Sequence, residues 1–275
     1  MKNILYTIIL SFLFSSAVSA EIYKWVDDEG KVHYGEKLPD NTKGKSIENI
    51  KTKDSVSADI QASEDAYEAG DYEAAFILIK LLAEQGDPWA QYKIGQMYDE
   101  GKGVTQDYKE AVKWYHLAAE QGDADAQNSL GYMYQNGEGV TKDYKEAEKW
   151  YRLATKQGDA GAQFNLGVMY QAGYGVTKDY QEALKWFRLA AEQGLAESQS
   201  YLGQMYYKGL GVIKDIVLAH MWWNISANDG NKWVSGYQKG KENRDVIKGR
   251  MTSEQMAEAQ NLARECVKKN YKDCG

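Results

Sequence analysis

Proline is nearly absent from this chain, with Pro39 and Pro88 the only two in 275 residues, and cysteine is as scarce. Two cysteines cannot staple a disulfide-built miniprotein, and a chain without a glycine-proline period cannot form a collagen-like rod. Basic residues are the minority, 33 Lys+Arg against 40 Asp+Glu, so the surface repels phosphate backbones and a nucleic-acid partner is not expected. What is plentiful excludes disorder: 43% hydrophobic residues, with 21 Tyr and 8 Trp. Together with 26 Gly, that composition suits a small helical unit used many times.

Residues 1–20 carry one charge, Lys2, followed by the apolar run Ile4 to Phe14 and small residues ending in Ala20. Such a run suits the core of a secretory signal and falls short of the roughly 20 residues that span a bilayer as a helix. The expectation is export to the periplasm or beyond, with cleavage after Ala20. The alternative is an uncleaved membrane anchor; no cysteine near the cleavage site supports a lipid anchor. An exported chain meets oxidising conditions, in which Cys266 and Cys274 can pair. On one straight helix they would stand about 12 Å apart, beyond disulfide reach, so a bond requires the last helix to stop near Lys268 and the chain to fold back. A metal site is the weaker reading, because two thiols with no histidine nearby do not complete a tetrahedron.

Sliding the chain against itself by 36 residues brings Gln91, Gln127, Gln163 and Gln199 into register. Further columns follow: Gly95, Gly131, Gly167 and Gly203; the Gly-x-Gly pairs that begin at Gly101, Gly137, Gly173 and Gly209; Asp107, Asp143, Asp179 and Asp215; Trp114, Trp150, Trp186 and Trp222. Each unit reads as two helices. In the second copy, helix A spans roughly Ala124 to Gln135 with Ala126, Leu130 and Tyr134 on one face. Gly137 and Gly139 supply the positive φ of a tight turn, and Asp143 caps helix B with Glu146 placed for a capping box. A glycine inside helix A costs about 1 kcal/mol relative to alanine, so Gly95 and its counterparts are expected to admit a neighbouring helix, with the large Trp of helix B filling the space beside them.

The pattern Ala-Gln-x-x-Leu-Gly-x-Met-Tyr, then Gly-x-Gly-Val, Asp-Tyr, Trp-Tyr and Gln-Gly-Asp, over residues 126–159, resembles the Sel-1-like repeat, a relative of the tetratricopeptide repeat. The resemblance implies an all-α, right-handed α/α solenoid with one concave face, and a scaffold that holds protein partners together. The fourth copy departs from the pattern, with Ile216 in place of Tyr and Met221-Trp222-Trp223 in helix B. Before the repeats, Tyr23 to Glu36 resembles a short envelope-protein domain of unknown function. Its alternating strands around Asp27 to Gly30 read as a small β-hairpin, which needs a third strand or a docking surface to be stable. The expected organisation is a signal peptide over 1–20, the hairpin over 21–40, a polar linker over 41–57, a degenerate first repeat over 58–89, four full repeats over 90–233 and capping helices over 234–275.

No catalytic constellation is legible, and no cofactor cradle. His33, His116 and His220 fall in different units, and Gly44-Lys45-Ser46 lacks the earlier glycine of a phosphate loop, where Pro39 stands. Some cysteine-rich members of the repeat family are described as β-lactamase-like; this chain has no cysteine in its full repeats and no Ser-x-x-Lys, which removes that remote alternative's acylating pair. Recognition is the better reading. By analogy with tetratricopeptide repeats, the groove is lined by Tyr92, Asn128, Phe164 and Ser200 and, one turn on, by Gln96, Tyr132, Val168 and Gln204, columns that vary between copies. Tyr92, Tyr132, Phe164 and Val168 would form an apolar ridge for a protein or peptide; the bland reading is that some of them pack against helix B. A cell-wall glycan is the alternative ligand, with Trp222, Trp223, Trp233 and Tyr237 as stacking faces.

Among the packing columns, Trp150→Ala is expected to cost on the order of 3 to 5 kcal/mol through the cavity it leaves, read as a lowered urea midpoint with unchanged slope.

Overall fold

Short helices need explicit ends, and this chain supplies them in register. The computed structural model describes residues 22–26, 32–35, 47–50, 56–227 and 235–274. Twelve helices lie among them: α1 (Val56–Glu68), α2 (Tyr72–Glu84), α3 (Pro88–Glu100), α4 (Tyr108–Glu120), α5 (Ala124–Asn136), α6 (Tyr144–Lys156), α7 (Ala160–Ala172), α8 (Tyr180–Ala191), α9 (Ala196–Lys208), α10 (Ile216–Ser226), α11 (Ser235–Lys248) and α12 (Ser253–Lys268). The chain divides into two units, Met1–Leu78 and Ile79–Gly275. The expected leader lies outside the described residues.

In the first unit, β1 (Ile22–Val26) pairs antiparallel with β2 (Val32–Gly35) on one edge and with β3 (Ile47–Ile50) on the other. The turn expected at Asp27 to Gly30 lies outside the described residues. The stretch read as a linker, 41–57, contributes β3 and the first two residues of α1, which gives β1 a partner on each edge.

In the second unit α3, α5, α7 and α9 are the A helices, and α4, α6, α8 and α10 the B helices. Asp87, Asp123 and Asp159 each accept a hydrogen bond from the backbone N–H of Ala90, Ala126 and Ala162, at 2.8, 2.7 and 2.6 Å. At the other end Gly101, Gly137, Gly173 and Gly209 adopt the left-handed conformation, and their N–H groups return to the carbonyls of Met97, Met133, Met169 and Met205. Asp143 accepts from Lys145 and Glu146 N–H, but the reciprocal half of the expected capping box is not made. The Asp143 N–H donates to Tyr134 O at 2.9 Å, closing the turn, and Glu146 pairs with Lys149 at 2.8 Å. A complete box forms at Thr252 and Gln255.

The interior glycines do admit a neighbour, but not the expected one. A methyl group on Gly95, Gly131, Gly167 or Gly203 would meet the ring of Tyr115, Tyr151, Phe187 or Trp223 at 2.5 to 2.7 Å. These rings follow the Trp column by one residue, and that step turns a helix side chain by about 100°. The Trp column faces another neighbour: Trp150, 6% exposed, stands edge-on to His116 of the preceding B helix at 5.4 Å.

A polar ladder ties repeat to repeat. Gln121 Nε2 donates to Gln91 Oε1 at 2.7 Å and to Gly86 O; Gln157 repeats this on Gln127 and Gly122, and Gln193 on Gln163 and Gly158. Gln91, Gln127 and Gln199 in turn donate to the last-turn carbonyls Ala83, Ala119 and Ala191 of the preceding helix. At the far end α11 and α12 pack on α10. There Cys266 and Cys274 form a disulfide with Cα atoms 5.3 Å apart, and α12 stops at Lys268 before the chain folds back.

Gly131→Ala should destabilise despite gaining about 1 kcal/mol of helix propensity, because the Tyr151 ring must move at a cost of about 1 to 3 kcal/mol. A urea midpoint at or above the wild-type value would contradict the ring-on-glycine packing.

Candidate functional site

The A helices α5 and α7 touch across the repeat boundary. Side chains bridge the A helices directly. Asn165 Nδ2 donates to Asn128 Oδ1 at 3.0 Å, and Phe164 meets Tyr201 edge-on at 5.2 Å. These contacts run along the side expected to bound the groove, and each A helix carries its residues at 92/128/164/200, 96/132/168/204 and 99/135/171/207 along one face.

The expected ridge is only partly open. Tyr132 is 47% exposed. Tyr92 is half-buried against the Tyr115 ring at 5.8 Å; burial first, then the charge of Asp125, pushes its phenol up to about 12, against a hydrogen bond with Ser129. Phe164 lies between Phe187 and Tyr201, and Val168 is half-buried. Gln96 accepts from Lys93 at 3.3 Å, Gln204 is half-buried, and Asn128 is bonded to Asn165. Ser200 is 3% exposed and lies outside any groove; the bulk of Trp223, whose Nε1 donates to Ser200 O, covers it. Trp222 and Trp223 are buried as well, which removes two stacking faces from the glycan reading; the side chains of Trp233 and Tyr237 lie outside the described residues.

Sequence reasoning passed over two sets of residues. One is the third inner column. In the first full repeat, Tyr115 donates to Asp99 Oδ2 at 3.2 Å, and burial raises the pKa of both groups. The other is the turn edge, where Tyr144 stacks on Tyr174 at 4.9 Å and Lys142 lies over the Tyr144 ring. Tyr108 and Tyr174 are exposed there, and the Asp-Tyr pairs that open the first three B helices were the available signal for Tyr108 and Tyr144. Among the described residues no group of three or more His, Cys, Asp or Glu is placed to hold a metal, and no helix is long and apolar enough to cross a membrane.

Five segments, 65–87, 90–123, 124–159, 160–195 and 196–231, match the Sel1 repeat, and residues 9–66 match a domain of unknown function (DUF4124). Among solved structures, a Sel1 repeat protein from Oxalobacter formigenes is 33% identical, over 75% of this chain and 99% of that one, with a TM-score of 0.60. A protective antigen of uropathogenic Escherichia coli strains with an SLR fold is 32% identical over 78% of this chain and 54% of that one, with a TM-score of 0.49. No curated protein matches the chain.

The histidines differ in setting. His116 is half-buried and lies 3.4 Å from Glu120, whereas His220 is 1% exposed and neither ring nitrogen has a partner among the described residues. Burial, then the charges of Arg244 and Lys248, hold its pKa below the ordinary value, with Asp245 opposing. Folded His220 is therefore neutral where the unfolded residue takes up a proton, near pH 6.5. Its contribution to stability is complete above that pH and is lost as pH falls through it. The melting temperature should drop more between pH 7.5 and pH 5.5 for the wild type than for His220→Phe; equal drops would remove this residue from the acid response.

Proposed function

The chain belongs to the Sel1 repeat family, and from the geometry of its inner wall we propose that it is an exported, non-enzymatic scaffold that holds an extended protein segment along α3, α5, α7 and α9. Sel1 repeat proteins mediate protein–protein interactions, and the fold supplies the rigid support such a role needs. The observation that carries the reading is a contrast between columns. Ala126, Leu130, Gly131 and Met133 recur in kind through the copies and are buried, while the inner columns change from copy to copy, and Tyr132 among them is left open. A half-exposed phenol on a rigid helix is a low-entropy anchor for a partner.

Export rests on the leader-like residues 1–20 and on the Cys266–Cys274 disulfide, a bond that persists in an oxidising compartment. The expected destination is the periplasm or the outside of a bacterial cell.

Site-specific photo-crosslinking in the native cell tests the groove. A benzoylphenylalanine at position 132 should give a discrete adduct with a polypeptide. The same probe at Leu117, on a B helix and 45% exposed, should not. Equal labelling from both positions, or an adduct that disappears on muramidase digestion, would overturn the assignment.

A further inference from the structure

Helix α11 is held lightly. Ile247 is its one buried apolar side chain among the described residues, and Val246 is 66% exposed. The first half of the helix is seated through backbone: a methyl group on Gly236 would meet Ala196 and Glu197 of α9, and one on Gly240 would meet Ser226 of α10. Between them Lys239 lies over the Tyr201 ring of α9, 5.6 Å from its centre. The second half reaches the face of α10 that holds His220. There Arg244 Nη1 donates to Asn224 Oδ1 at 3.4 Å, and Asn224 stands one turn after His220. An element with so few buried apolar contacts opens before the rest of a fold.

His220 is built into that seam. It is 1% exposed with neither ring nitrogen partnered among the described residues, whereas Glu148 and Leu184 in the same column are half-buried. The charges that act on the ring come from α11, where Arg244 and Lys248 oppose a proton and Asp245 favours one. Asp245 is already shared, 3.1 Å from Arg244 and 3.8 Å from Lys248. Of the other elements packed on α10, α12 brings Arg264 and Lys268 to the cleft beside Asn224 and Ile225, and Glu265, Lys269 and Asp273 to the one beside Met221. From α9 come Tyr206 and Tyr207, both uncharged near neutral pH. A protonated His220 would be a further cation in the seam, and the repulsion falls on α11, which carries Arg244 and Lys248.

We propose that α11 is an acid-released cap: a proton taken by His220 frees α11 from α9 and α10 and uncovers Tyr201, while the repeats before it keep their packing. The proton need not reach the closed ring. It is taken up when α11 opens, and it then holds the open form. With the closed ring neutral and the open ring titrating near 6.5, the opening constant rises about tenfold between pH 7.5 and pH 5.5. The inference rests on this seam alone and not on the groove reading.

The test is hydrogen exchange read by mass spectrometry on the full chain with its disulfide intact, at pH 7.5 and pH 5.5, each corrected for the intrinsic rate. Peptides from α11 should exchange about tenfold faster at the lower pH, and peptides from α5 and α7 at an unchanged rate. In His220→Leu, which places the third copy's residue in this column, the acid gain should vanish. No gain in α11, an equal gain in α5 and α7, or the same gain in His220→Leu would overturn the proposal. NMR of the wild-type histidine rings supplies a second readout that needs no variant. The His220 ring should stay neutral at pH 5.5 wherever α11 is closed; a ring that takes its proton near pH 6.5 with α11 still protected would sink the cap.

Discussion

An aromatic ring laid on a bare patch of helix is the contact on which each repeat depends. Gly95, Gly131, Gly167 and Gly203 give up helix propensity so that Tyr115, Tyr151, Phe187 or Trp223 can lie against backbone, and a methyl group on any of them would overlap the ring. That seat fixes the distance and rotation of helix B on helix A. Everything outward from it, the Trp on the preceding B helix and the amides between repeats, takes its position from this one contact. The same ring type is not required: Tyr, Phe and Trp all occur, so the seat selects a flat apolar body and leaves the polar tip free to vary.

Most of the scaffold was legible because its signals are local. Asp caps, Gly turns and the 36-residue register each act within a few residues of where they stand. The ring partner was not legible, since Trp150 and Tyr151 are adjacent aromatics and only the third dimension tells which one faces helix A. Nor was β3, because Ile47–Ile50 is a short strand with Glu and Asn at its centre. Groove exposure fails for a different reason. Whether Phe164 is open depends on Tyr201 in the next copy, where the earlier copies carry Lys93, Ser129 and Asn165. A column that reads as variable surface within its own repeat can be closed by its neighbour.

The fourth repeat shows what a solenoid needs at its end. Helix α9 has Leu195 at its N-cap position and so no side-chain cap, and Ile216 and Met221 replace Tyr and Lys in α10. These changes convert exposed positions to apolar ones where α11 and α12 arrive to cover them, and Met221, Trp222 and Trp223 are buried as a result. His220 is buried by the same event. It occupies the column of Val112, Glu148 and Leu184, and burial at this terminus favours its neutral form.

The glutamine ladder explains why the stack has a definite register. Apolar faces alone tolerate sliding by a fraction of a turn, whereas an amide that must accept from one glutamine and donate to a carbonyl of the preceding helix is satisfied in one position only. Each link also occupies carbonyls at the end of a B helix and the turn after it, which the helix itself cannot satisfy. The sequence breaks the chain of links at Asp229, where the earlier copies have Gln121, Gln157 and Gln193. A carboxylate has no proton to donate at neutral pH, so the sequence does not repeat the glutamine link in that column; Asp229 itself lies outside the described residues. A further unit placed after this column would lack the glutamine donor that Gln121, Gln157 and Gln193 supply to the units they follow.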